Sequence, residues 1–116
     1  MVWPGAEQFD EMGCGDCHVP RLEASIGYLP AYTDLLLHDM GEAMADLPVG
    51  LASATEFRTQ PLWGVTLHAP YLHDGRARSL AEAILWHGGE GEAAKNKFKA
   101  MGQADKDALI KFLKSL

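Results

Sequence analysis

Apolar residues recur at helical spacing in three stretches of this chain and nowhere alternate convincingly as strand residues do. Ser79-Leu80-Ala81-Glu82 has the form of a capping box, in which Ser79 accepts from a backbone N–H and Glu82 returns the bond, so a helix is predicted to start there. Leu80, Ala83, Ile84 and His87 follow at i, i+3, i+4 and i+7, which puts His87 on the buried stripe of that helix. Gly88-Gly89 should end it, because glycine takes the left-handed C′ conformation without a Cβ penalty. A second helix is expected from about Glu90 to Met101, with Ala94, Phe98 and Met101 on one face. A third, from Ala104 to Ser115, aligns Ala108, Leu109, Phe112, Leu113 and Leu116. Its Asp105 and Asp107 come early and its Lys111 and Lys114 late, the order that suits the helix dipole. Ala6 to Met12 reads as a short helix at best, leading into Gly13.

Between these ends, Val19 to Pro70 shows few regular periods and contains Pro20, Pro30, Pro48, Pro61 and Pro70. Irregular stretches of that length are uncommon inside a compact domain unless something other than a peptide core orders them, which points to a large prosthetic group. The 116 residues suffice for one domain, expected to run from 1 to 116, and leave no room for a second substrate-binding lobe. Ten Lys and Arg against sixteen Asp and Glu give a net charge of −6, which argues against nucleic acid or an anionic membrane as partner. No run approaches the roughly 20 apolar residues of a spanning helix, so membrane insertion is not expected. The opening MVWPGAEQFD has neither the basic nor the apolar region of a signal peptide.

The two cysteines form Cys14-Gly15-Asp16-Cys17-His18, the attachment pattern of a c-type haem. Two thiols separated by two residues reach the two vinyl groups of one porphyrin, and the adjacent imidazole is then held beneath the iron as proximal ligand. A redox-active dithiol would follow a strand in a βαβ unit, and no such pattern flanks Cys14. A structural zinc site could borrow His68 and His73, though at a separation from Cys17 far beyond that of ordinary fingers. A disulfide between residues three apart would constrain little. Thioether attachment takes place on the oxidising, extracytoplasmic side, so a periplasmic or equivalent location is expected.

The sixth ligand decides between electron transfer and chemistry on a bound substrate. By residue type the candidates are His38, His68, His73, His87, Met40, Met44, Met101 and Tyr71. His87 stands out because burial at the end of an apolar stripe must be compensated by a bond, which iron would supply. Capping of its own helix's last carbonyls is the alternative. Met40 and Met44, four apart, fit helical core or an axial ligand, and core is the commoner outcome for methionine.

CGDCHVP (14–20), TDLLLHDMG (33–41), RTQPLWG (58–64), APYLHDGRAR (69–78) and SLAEAILWHGGE (79–90) together resemble the C-terminal haem domain of the bacterial di-haem oxidoreductases. That family, also described as thiol-oxidoreductase-like, is related to the di-haem cytochrome c peroxidases. In those peroxidases this domain holds the electron-transfer haem, and its distal ligand lies fourteen residues after the histidine of the PY-x-H-D/S-G segment, which here is Pro70 to Gly75 and leads from His73 to His87. Where the peroxidases carry methionine, this chain offers His87. The resemblance thus implies a haem between His18 and His87. Di-haem members carry two C-x-x-C-H motifs and peroxide chemistry belongs to the other domain, whereas this chain has one motif. Peroxidase activity is therefore not carried over, and the chain is either part of a longer protein or a free-standing single-haem cytochrome.

The expected structure is an all-α, cytochrome c-like domain wrapped around one covalent haem c. Its expected function is single-electron transfer through a six-coordinate bis-histidine iron, with a redox partner protein as counterpart. The rival is a haem peroxidase, reached if His87 is displaced and His73 or a nearby carboxylate moves protons. Arg76 and Arg78 are candidates for the haem propionates, since guanidinium pairs bidentately with carboxylate. Trp63 and Tyr71 are candidates to pack on the porphyrin. His73 and Asp74 are expected to stabilise the turn ending at Gly75, and Gly13 and Gly15 to give backbone room near the macrocycle.

Overall fold

The computed structural model describes residues 3–116. Helix α1 (Trp3–Glu11) precedes a long non-helical stretch, and helices α2 (Leu80–Leu85), α3 (Glu92–Ala100) and α4 (Gln103–Lys114) follow it. The first and last helices pack across each other and close the fold. Phe9 of α1 meets Phe112 of α4 edge-on at 5.5 Å, and Tyr32 completes the cluster at 5.7 Å from Phe9. The crossing is close because Gly5 is buried in it: a Cβ there would overlap the Ala108 carbonyl oxygen and lie 2.5 Å from Phe112 Cβ. Helix α1 therefore begins three residues before the predicted Ala6, since Trp3, Pro4 and Gly5 are drawn in by tertiary contact rather than by periodicity.

The apolar stripes fall as expected. Leu80, Phe98, Leu109, Phe112 and Leu113 join Phe9, Met12 and Val65 in one core. At the start of α2, Ser79 Oγ accepts from the Glu82 N–H at 3.1 Å. The return bond differs from the simple capping box: Glu82 accepts from the N–H of Arg78, one residue before the cap, at 2.9 Å. The helix proper ends at Leu85, and His87 continues its last turn through an N–H bond to the Ile84 carbonyl at 3.1 Å.

Within the proline-rich stretch lie two small antiparallel ladders, β1 (Leu22–Ala24) with β2 (Gly27–Leu29) and β3 (Leu37–Asp39) with β4 (Glu56–Arg58). Three-residue strands are too short to display a period of two, so the sequence pattern does not reveal them. The domain is otherwise mainly helical, with a C-x-x-C-H loop directly after α1, the arrangement of a cytochrome c-like fold. No helix among the described residues is long and apolar enough to cross a membrane.

Candidate haem site

Helix α1 is broken by Gly13, whose φ of +84° is the left-handed conformation that favours glycine. The chain then makes a 3-10 turn over Cys14–Asp16, and the His18 N–H returns to the Cys14 carbonyl at 2.9 Å. This single turn presents both thiols and the imidazole of His18 to one cavity of about 860 Å³, within the roughly 300–1,000 Å³ range of cofactor sites. Gly15 has no special role in that turn, because a Cβ there would meet its nearest atoms at 3.7 Å, an ordinary contact.

His87 lines the same cavity from the opposite side of the sequence. The rings of His18 and His87 are 6.5 Å apart, centre to centre. Imidazole–metal bonds of about 2.0 Å on either side of one ion leave ring centres about 6–7 Å apart. Each ring is held by a backbone carbonyl: His18 Nδ1–H donates to Tyr32 O at 3.0 Å and His87 Nδ1–H to Ala83 O at 2.8 Å. That fixes the tautomer and leaves Nε2 of both rings as the metal-binding atom. Burial lowers the pKa of His18 to about 4 and lowers that of His87, so both rings are neutral at pH 7 and keep a lone pair for a metal. Burial pushes the Cys14 thiol up to about 11. Cys17 is also raised, by burial and then by the carboxylates of Asp34, Glu90 and Asp16. Two protonated thiols, two neutral imidazoles and a largely apolar wall are a donor set that fits a covalently attached haem c with its iron between two histidines.

The other candidates are placed as follows. His38 has both nitrogens engaged, Nε2 with Asp34 at 2.7 Å and Nδ1 with Glu90 at 3.2 Å. His73 lines the cavity, but its ring stacks on Phe57 at 4.4 Å and its Nε2 pairs with Asp46 at 3.0 Å. It thus reaches a neighbouring loop as well as its own turn, where Nε2 lies 3.8 Å from Asp74, and Asp74 in turn accepts from the Arg76 N–H at 3.1 Å. His68, Met40, Met44, Trp63 and Tyr71 also line the cavity, whereas Met101 packs at the margin of the core. Trp63 and Tyr71, the candidates for packing on a porphyrin, thus lie on the cavity wall.

The propionate reading of Arg76 and Arg78 meets a different placement. Arg76 donates to Asp74 at 2.8 Å and to the Ala43 carbonyl at 2.7 Å and lies over the Trp86 ring at 4.8 Å. Neither arginine lines the cavity, and the guanidinium of Arg76 is already occupied by local partners. The cationic side chains on the wall are Arg58, Lys95 and Lys97, which no motif marked. The zinc grouping of the cysteines with His68 and His73 does not form either. The group of potential metal donors that converges among the described residues is Cys17, Asp34 and His38, within 4.8 Å of one another.

A family profile described as "Di-haem oxidoreductase, putative peroxidase" matches residues 1–116. No curated protein sequence matches the chain. Among solved structures, hydrazine synthase of Kuenenia stuttgartiensis, determined under xenon pressure, superposes with a TM-score of 0.66 at 22% identity. The match covers 99% of this chain and 46% of that one, so the chain spans under half the length of that structure, and the likeness is one of fold. With the family profile spanning every residue and the C-x-x-C-H turn facing a haem-sized cavity, the chain belongs to the di-haem oxidoreductase family.

Proposed function

We propose that this domain passes single electrons through one haem c whose iron is held by His18 and His87. The observation that carries this reading is the pair of neutral imidazoles, 6.5 Å apart, each with Nδ1 committed to a main-chain carbonyl and Nε2 free for a metal. When bound, the haem supplies a one-electron iron couple. The residues of the chain do the rest. Cys14 and Cys17 each add S–H across a vinyl group and anchor the macrocycle. Met12, Val65 and Leu80 exclude water from its face. Arg58, Lys95 and Lys97 are the residues that would take the propionates in place of Arg76 and Arg78.

With His18 and His87 both holding the iron, no position would be left for a substrate, and the counterpart would be a redox partner protein. Maturation of haem c outside the cytoplasm assigns the domain to the periplasm. Only one attachment motif is present in a family named for two haems, so an activity of the whole di-haem enzyme is not assigned to this domain.

The test is the optical and electron paramagnetic resonance spectrum of the matured ferric protein. A low-spin signal that yields only slowly to added cyanide, with no turnover of peroxide, is expected. His87→Ala should give a high-spin iron that binds cyanide. A wild-type spectrum that is already high-spin, with rapid peroxide turnover, would overturn electron transfer in favour of the peroxidase.

A further inference from the structure

The two imidazoles come from segments 69 residues apart in sequence, and their spacing must be set by something that joins those segments. On the proximal side the join begins at Tyr32, whose carbonyl holds His18. The next residue, Thr33, is 1% exposed and ties the segment down through its hydroxyl, which donates to the Thr59 carbonyl at 2.7 Å. Asp34 follows. Its Oδ1 accepts from the Leu36 N–H at 2.9 Å, and its Oδ2 meets His38 Nε2 at 2.7 Å. His38 Nδ1 then meets Glu90 Oε1 at 3.2 Å, and Glu90 Oε2 accepts from the Asp39 N–H. Glu90 lies three residues after His87. The backbones are pressed together at the same place. A Cβ on Gly89 would overlap the Asp39 carbonyl oxygen, and one on Gly88 would lie 2.8 Å from that of Met40.

We infer that Asp34, His38 and Glu90 form a carboxylate–imidazole–carboxylate clasp that holds the His87 segment at its distance from the His18 segment. These are positioning residues: none of them is proposed to hold the iron, and each acts through a segment that carries His18 or His87. This inference rests on the bis-histidine haem proposed above. The clasp explains why His38, which sits in a motif shared with the family resemblance, is engaged at both nitrogens without being a ligand. It also gives Gly88-Gly89 a purpose beyond ending a helix, because only glycine permits the two backbones to approach closely enough for Glu90 to reach across.

Holoprotein variants Glu90→Ala and His38→Gln test it, with cyanide binding to the ferric iron as the readout and Glu90→Gln and Gly5→Ala as controls. Loss of a charge-assisted bond from the closed state should expose the distal position more often, so cyanide should bind about tenfold faster in Glu90→Ala than in wild type. Glu90→Gln, whose amide oxygen can still accept from Asp39, should fall between. Gly5→Ala loosens the fold at the α1–α4 crossing and should leave the rate unchanged. Wild-type cyanide rates in both Glu90→Ala and His38→Gln would refute the clasp while leaving the haem reading intact. Equal acceleration in Gly5→Ala would also refute it, as a mere effect of global stability. A His87→Ala protein that stays low-spin would instead remove the bis-histidine reading on which the clasp stands.

Discussion

His38 is the residue whose protonation is most directly written into the fold. Its pKa is raised, first by the hydrogen bond it donates to Asp34, against the cost of burial, and further by the one it donates to Glu90. A group raised in the folded state contributes stability that is complete below its unfolded value of about 6.5 and is lost as pH rises through the folded value. Thermal melts of wild type and His38→Gln should therefore differ most below about pH 6.5, and the gap should narrow as pH rises above that value. A gap that stays constant over this range would mean that His38 is held by packing alone. At this scale the anchor was legible in sequence: Cys14, Cys17 and His18 are contiguous, so their chemistry can be read without a fold. His87 was reachable because helical periodicity put it on a buried stripe. Glu90 and Arg58 were not, since their partners lie in other segments and nothing local distinguishes them from surface charges.

The helices were legible where one apolar face repeats, as in α4, and their ends moved where tertiary contact extended them, as at Trp3 in α1. The ladders β1–β2 and β3–β4 were not legible, because three residues carry no period and their register is fixed by distant partners. Close helix approach is likewise invisible in sequence until the facing residue is known. Gly5 in α1 meets the backbone of Ala108 in α4, so Gly5→Ala should cost about 1–3 kcal/mol, the range for overpacking a filled interface. Chemical denaturation should show a lower midpoint with an unchanged slope, and a stabilised variant would contradict the crossing described here.

On the scale of the whole molecule, the core of Phe9, Leu109, Phe112 and their neighbours ties the chain ends together, while the stretch between them encloses a cavity instead of a second apolar core. A haem held in that cavity would order the middle of the chain, where long irregular stretches otherwise lack a peptide core. Protein made without attachment, for example as Cys14→Ala/Cys17→Ala, should melt broadly and at lower temperature than the holoprotein. Its amide exchange should be accelerated over residues 37–75 and spared in α1 and α4. Equal protection in the two forms would show that the loops order themselves.

The body spans 42 × 38 × 24 Å, a slab rather than a sphere. In so thin a plate nothing inside is remote from either broad surface, so charge that arrives by one side need not depart by the same door.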